Sequence, residues 1–208
     1  MNQETQKTQN DPEEKIGRLG TFESLSFFVF DFLKVFVIAV AIIIPIRWFL
    51  FQPFVVTGES MLPNFQDRNY LIIDEITYRL REPERGEVVV MRFPNDPSQF
   101  FIKRIIALPG ERVLVENGRV KIFNKLNPDG LLLDEQYLPE NNITDGNINK
   151  QLRSDEFFVL GDNRRASSDS RFWGALPRKD IVGRVYIRLL PLQKLKLFSL
   201  EIPSYPLP

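Results

Sequence analysis

Val113-Leu114-Val115-Glu116-Asn117-Gly118-Arg119-Val120-Lys121-Ile122 decides how the chain is to be read. Two short β-branched runs flank Asn-Gly, the dipeptide preferred by the type I′ turn that joins antiparallel strands. Working outward toward the N-terminus, Phe100 to Ala107 is a strand-like run closed by Pro109 and Gly110. Before it, Glu87 to Phe93 is opened by Gly86 and closed by Pro94, and Tyr70 to Ile73 is ended by Asp74 and Glu75. Toward the C-terminus, 124–153 is rich in Asn, Asp, Gly and Pro and reads as an extended excursion from the sheet. The core resumes at Glu156 to Leu160, gives way to a polar loop from Gly161 to Arg171, and closes with Ile181 to Leu190. Fifteen prolines, eleven glycines and eighteen phenylalanines agree with many short strands and turns. The expectation is a mostly β, antiparallel domain over 52–191, followed by a C-terminal tail over 192–208 that either packs loosely or grazes a membrane.

Upstream of the strands the composition changes twice. Residues 1–22 are polar, cannot bury enough surface to order themselves, and read as a disordered tail. Residues 23–51 read as a membrane anchor with one transmembrane helix, since no charge falls between Lys34 and Arg47. That uncharged stretch rises only about 18 Å as a helix, against a hydrocarbon core of roughly 30 Å. The deficit closes if Asp31 and Lys34, three apart on one helix face, offset each other while Lys34 and Arg47 reach outward from the two ends. A buried core helix and a surface-lying segment are the alternatives. Lysines and arginines preceding the span outnumber those just after it, which places the N-terminus inside and the β domain outside. Bulky residues after Arg47 argue against a cleavable leader.

The chain has no histidine and no cysteine. That excludes Ser-His-Asp triads, cysteine nucleophiles, disulfides and any His- or Cys-ligated metal. A net charge of +0 implies no general attraction to nucleic acid. In Thr57-Gly58-Glu59-Ser60-Met61-Leu62-Pro63, Ser60 is either a turn residue or a nucleophile, and a nucleophilic serine needs a base. What remains is chiefly lysine. On the 100–107 strand, Phe101, Lys103 and Ile105 share one face, so Lys103 has apolar neighbours. It is either a rim lysine or a base whose pKa burial has lowered; unperturbed, only about one lysine in 2,500 is neutral at pH 7.

Three separated stretches together resemble the bacterial type I signal peptidases: the loop at 58–63, the segment Phe101 to Glu111, and Gly161-Asp162-Asn163-Arg164-Arg165-Ala166-Ser167-Ser168-Asp169-Ser170-Arg171-Phe172-Trp173-Gly174. The resemblance runs from the anchor to about Pro191. It implies a membrane-bound Ser/Lys-dyad serine endopeptidase of signal-peptidase fold that removes N-terminal signal peptides from exported precursors outside the cytoplasmic membrane, with no cofactor or metal. By resemblance Ser60 is the nucleophile and Lys103 the general base. Ser167 is a serine that hydrogen-bonds the lysine, Asp169 and Arg171 are a structural pair behind the site, and Arg104 is the arginine beside the catalytic lysine.

Asp162 is read as scaffolding, together with Asn163 and Arg164. The Ser60 backbone N–H is the expected oxyanion donor, with Gly58 letting the loop turn tightly; Gly58 stands where part of the family has a serine. Asn64 and Arg165 also differ from commoner residues and are given no role. Small residues at the first and third positions before the cut are the implied preference. Met61 and residues 54–56 either line such pockets or belong to the core or a membrane face. The implied partners are signal-peptide-bearing precursors, membrane lipid and, transiently, the export machinery. A Ser/Lys autoprotease of the SOS-repressor type, a non-enzymatic anchored β domain and an intramembrane protease are the competing readings.

Overall fold

The structure is a computed structural model that describes residues 28–43 and 51–198. The chain divides into two units, Met1–Arg47 and Trp48–Pro208. The first is described by the helix α1 over 28–43, apolar nearly all round with Phe28, Phe32 and Phe36 exposed. The expected transmembrane span is not established by it. Among the described residues no helix is long and apolar enough to cross a membrane. Residues 28–43 rise about 24 Å, short of roughly 30 Å. The rest of the expected anchor, except Phe51, and the expected tail over 1–22 lie outside the described residues.

In the second unit the described strands are β1 (Phe51–Val55), β2 (Tyr70–Asp74), β3 (Val88–Phe93), β4 (Asp96–Ala107), β5 (Arg112–Glu116) and β6 (Arg119–Phe123). They continue with β7 (Leu131–Leu132), β8 (Ile148–Gln151), β9 (Glu156–Leu160), β10 (Leu176–Pro177), β11 (Ile181–Leu190) and β12 (Lys196–Leu197). Two one-turn helices, α2 (Thr77–Leu80) and α3 (Ser170–Trp173), sit between them. The larger sheet runs β1-β2-β11-β3-β4-β9-β10, with β12 on β11; the smaller runs β7-β6-β5-β8. Every recorded pairing between described strands is antiparallel, as expected.

The Asn-Gly hairpin forms: Asn117 and Gly118 both take positive φ, and Val115 pairs with Val120. It belongs to the smaller sheet, and the excursion completes that sheet, with β7 adding to β6 and β8 to β5. Val113, Val115, Val120 and Ile122 pack on Ile106, Phe158 and Leu160 of the larger sheet. The intervening residues of β9, Phe157 and Val159, face a second cluster with Val89, Met91 and Ile105. Alternation thus sends β9 side chains into two cores, which is why its sequence is apolar at nearly every position.

Part of the expected tail is ordered. Lys196 and Leu197 pair with Arg188 and Ile187, and the Phe198 ring stacks on Phe65 at 4.9 Å. Burying Phe198 on an aromatic already in the core supplies the apolar area that a free tail would lack.

Candidate active site

Ser60 lies in the loop between β1 and β2, which leaves the sheet at Val56 and is anchored by two buried side chains, Met61 and Phe65. Met61 is therefore core: it packs with Leu71, Ile73 and Val90, and its sulfur accepts the Asp162 N–H at 3.4 Å. Gly58 has φ +91°, a conformation costly for any residue with a Cβ, and donates its N–H to Asp67 Oδ1 at 2.9 Å. Nothing lies within 4 Å of where a Cβ at Gly58 would stand, so that side of the loop is open.

Lys103 comes from the middle of β4, opposite Val89 on β3. Its residue is 3% exposed, and its ammonium nitrogen sits 5.3 Å from the centre of the Phe101 ring, the neighbour expected on its face. Lys103 Nζ is 2.9 Å from Ser60 Oγ and also donates to the carbonyl of Ile102 at 2.9 Å. Burial pulls the lysine pKa down to about 8, against the opposing pull of the Asp169 and Asp162 carboxylates. The sequence left the alternatives of rim and buried lysine open, and this lysine is buried.

The third stretch is delivered by register. Arg104 pairs with Leu160 across β4 and β9, so the chain that leaves β9 at Gly161 emerges beside the base of Lys103. Asn163 donates its N–H to the Ser60 carbonyl at 3.0 Å and its side-chain amide to the Glu59 carbonyl at 3.2 Å, tying this loop to the serine loop. A Cβ on Gly161 would strike the Ser167 hydroxyl and lie 2.5 Å from the Ser60 carbonyl oxygen, so the close approach requires glycine.

The resemblance implied a hydrogen bond from Ser167 to the lysine. The structure instead has Ser167 Oγ buried without a hydrogen-bond partner, against Gly161 and the Ser60 backbone, while Nζ spends its contacts on Ser60 and Ile102. Asp169 and Arg171 do form a pair, with Nε to Oδ1 at 2.8 Å and Nη2 to Oδ2 at 2.9 Å. Asp169 Oδ2 also accepts the Gly161 N–H at 3.1 Å. Arg104 grips Asp162 through Nε at 2.8 Å and Nη2 at 2.6 Å and donates to the Gly86 carbonyl at 2.8 Å. Asn64, given no role from sequence, bonds Asp162 Oδ2 at 2.9 Å and the Tyr137 carbonyl at 3.0 Å. Arg165 is exposed.

A cleft of about 270 Å³ opens over Ser60 and Lys103, walled by Phe54, Val56, Leu71, Val90 and Ile102. Phe54, Val55 and Val56 are thus cleft residues, and Ser168 also reaches it. An apolar trough ending on a hydroxyl beside a buried amine can take apolar groups of a ligand up to the reactive pair. Among the described residues no cluster of His, Cys, Asp or Glu could hold a metal ion.

The family model described as "Signal peptidase, peptidase S26" matches residues 29–190. A probable signal peptidase I-2 from Synechocystis sp. is 39% identical over 80% of this chain and 75% of its own length. Signal peptidase I of Leptolyngbya laminosa is 36% identical over 78% of this chain and 80% of its own. A solved structure, a signal peptidase I from Enterococcus faecalis V583, aligns with 50% of this chain and 97% of that one, at 26% identity and a TM-score of 0.42. A serine loop and a buried lysine that share one cleft, with a Gly-Asp-Asn-Arg loop tied behind them, thus lie inside a match covering most of the chain, which belongs to the signal peptidase (peptidase S26) family of serine endopeptidases.

Proposed function

We propose that the chain is a membrane-bound endopeptidase that removes N-terminal signal peptides from exported precursors, with Ser60 as nucleophile and Lys103 as general base. The 2.9 Å contact between Lys103 Nζ and Ser60 Oγ, made by a lysine whose pKa burial lowers to about 8, carries this reading. At that pKa about one lysine in ten is neutral at pH 7, so the base form is abundant enough to act. In the neutral amine one N–H goes to the Ile102 carbonyl, which turns the lone pair toward the serine hydroxyl.

Lys103 takes the proton of Ser60 as Oγ attacks the scissile carbonyl, and the resulting ammonium protonates the departing amine. Water, deprotonated by the same amine, then releases the acyl-enzyme. The Ser60 N–H is the oxyanion donor in this reading. The small-residue preference before the cut, a single-pass anchor with the catalytic domain outside, and contact with lipid and the export machinery belong to the same proposal. The apolar cleft supports the first of these and the apolar helix α1 the anchor.

The test is cleavage of a signal-peptide-bearing precursor by the detergent-solubilised protein. Wild type cuts after a small-x-small sequence, while folded Ser60→Ala and Lys103→Ala each lose on the order of 10³-fold or more in rate. An inert wild type, or a Lys103→Ala variant that keeps its rate, overturns the assignment.

A further inference from the structure

Behind the cleft, the Gly161 loop is held from the other side by the connection between β7 and β8. Arg164 is the anchor, with a side chain that is 0% exposed. It donates Nε to the Gly161 carbonyl at 3.0 Å, Nη1 to Glu135 Oε2 at 2.8 Å and Nη2 to Glu135 Oε1 at 2.5 Å. Thr144 Oγ1 accepts a further bond from Nη1, and Tyr137 Oη one from Nη2 at 3.2 Å. Tyr137 in turn donates to Glu135 Oε1 at 2.6 Å. Asn142 closes the clamp, donating to the Asp162 carbonyl at 2.5 Å and accepting the Arg164 N–H at 3.1 Å.

The other face of the clamp touches the serine and lysine supports. The Tyr137 carbonyl accepts from Asn64 of the serine loop, and its ring lies 4.1 Å under the guanidinium of Arg104, the residue next to Lys103. Gly161, which Arg164 holds by its carbonyl, has no free space toward Ser167 and the Ser60 carbonyl. A displacement of Arg164 is therefore passed to the Ser60 backbone without slack.

We propose that Glu135 is a positioning residue for the reaction: through its bidentate pair with Arg164 and its bond to Tyr137 it fixes Gly161 and Asn163 against the Ser60 backbone, and so sets the approach of Ser60 to Lys103. Apart from Ser168, the residues that wall the peptide cleft belong to the larger sheet and the serine loop, and none comes from the β7–β8 connection. Loss of Glu135 then lowers kcat and leaves KM alone, because the cleft stays intact while the reacting pair loses its alignment. A merely structural role would instead lower the amount of folded protein without changing kcat per folded molecule.

This inference rests on the Ser60/Lys103 reading, and the experiment separates the two. Full-length Glu135→Gln, Glu135→Asp, Tyr137→Phe, the exposed neighbour Glu140→Gln, and Ser60→Ala are assayed in detergent on one precursor. kcat and KM are referred to the concentration of folded protein. Glu135→Gln loses 10-fold or more in kcat with KM within 2-fold, Glu135→Asp recovers part of the loss, and Glu140→Gln matches wild type. Should Glu135→Gln not fold, Tyr137→Phe decides, since it leaves the ion pair in place: a kcat reduced 3-fold or more supports the role and an unchanged kcat overturns it. A folded Glu135→Gln with wild-type kcat, or with a loss carried by KM, overturns the inference alone. A Ser60→Ala variant that still cleaves overturns the underlying dyad instead.

Discussion

On the proposed dyad, Lys103 serves function at the expense of stability. In the folded protein its pKa is about 8, below the roughly 10.4 of an exposed lysine, and the first cause is burial. On the proposed dyad only the neutral amine reacts, so kcat/KM rises about tenfold per pH unit below pH 8 and levels above it. A flat profile between pH 6 and 8 would remove the lysine from the role. The sign for stability follows from proton counting. Between about pH 8 and 10.4 the unfolded chain holds a proton that the folded one has released, so stability rises with pH through that window; below it the full penalty stands. Lys103→Met is accordingly expected to be inactive yet more stable at pH 7, by on the order of 3 kcal/mol at most, with the gain fading toward pH 10. Urea unfolding at both pH values measures this.

At the scale of elements, the pairing of β4 with β9 does the assembly. Their register puts Arg104 opposite Leu160, and Arg104 then meets Asp162 two residues further along, both buried. The pair is weak evidence for stability in itself, because two charges were desolvated to make it. What it provides is direction, pointing the Gly161 loop at the serine loop. Gly161 is where the two loops meet. Gly161→Ala places a methyl group 2.5 Å from the Ser60 carbonyl oxygen, which is backbone and cannot swing away. The expected result is a loss of about 100-fold in kcat or more, with roughly 1–3 kcal/mol of stability. Cleavage assays and thermal unfolding check both, and near-normal activity would mean that the two loops are not held as closely as described.

At the scale of the molecule, the described residues of the unit from Trp48 onward form three apolar cores, which include Phe158, Phe65 and Ile105 respectively. A chain lacking residues 1–47 is therefore expected to fold and to cleave a soluble peptide within a few-fold of the full-length rate. For a precursor embedded in vesicles its rate falls much further, since the anchor's contribution on the proposed reading is effective concentration at the membrane. Equal losses on both substrates would show instead that the N-terminal unit shapes the catalytic one.

Much of this is legible in the amino-acid sequence alone. The Asn-Gly turn between two short β-branched runs determined the antiparallel hairpin, because turn preference is a local property of the chain. The lack of histidine and cysteine left chiefly lysine to activate a serine, and Phe101 and Ile105 marked the apolar face on which Lys103 sits. Glu135, Tyr137 and Asn142 carried no such signal. They lie in a polar stretch without periodicity, and nothing near them in sequence says that a buried Arg164 needs a counter-charge. The same holds for the pairing of Arg104 with Asp162, 58 positions apart, and for Phe198 on Phe65. Partners so far apart are chosen by strand register and shared burial, and these exist only once the sheets have closed.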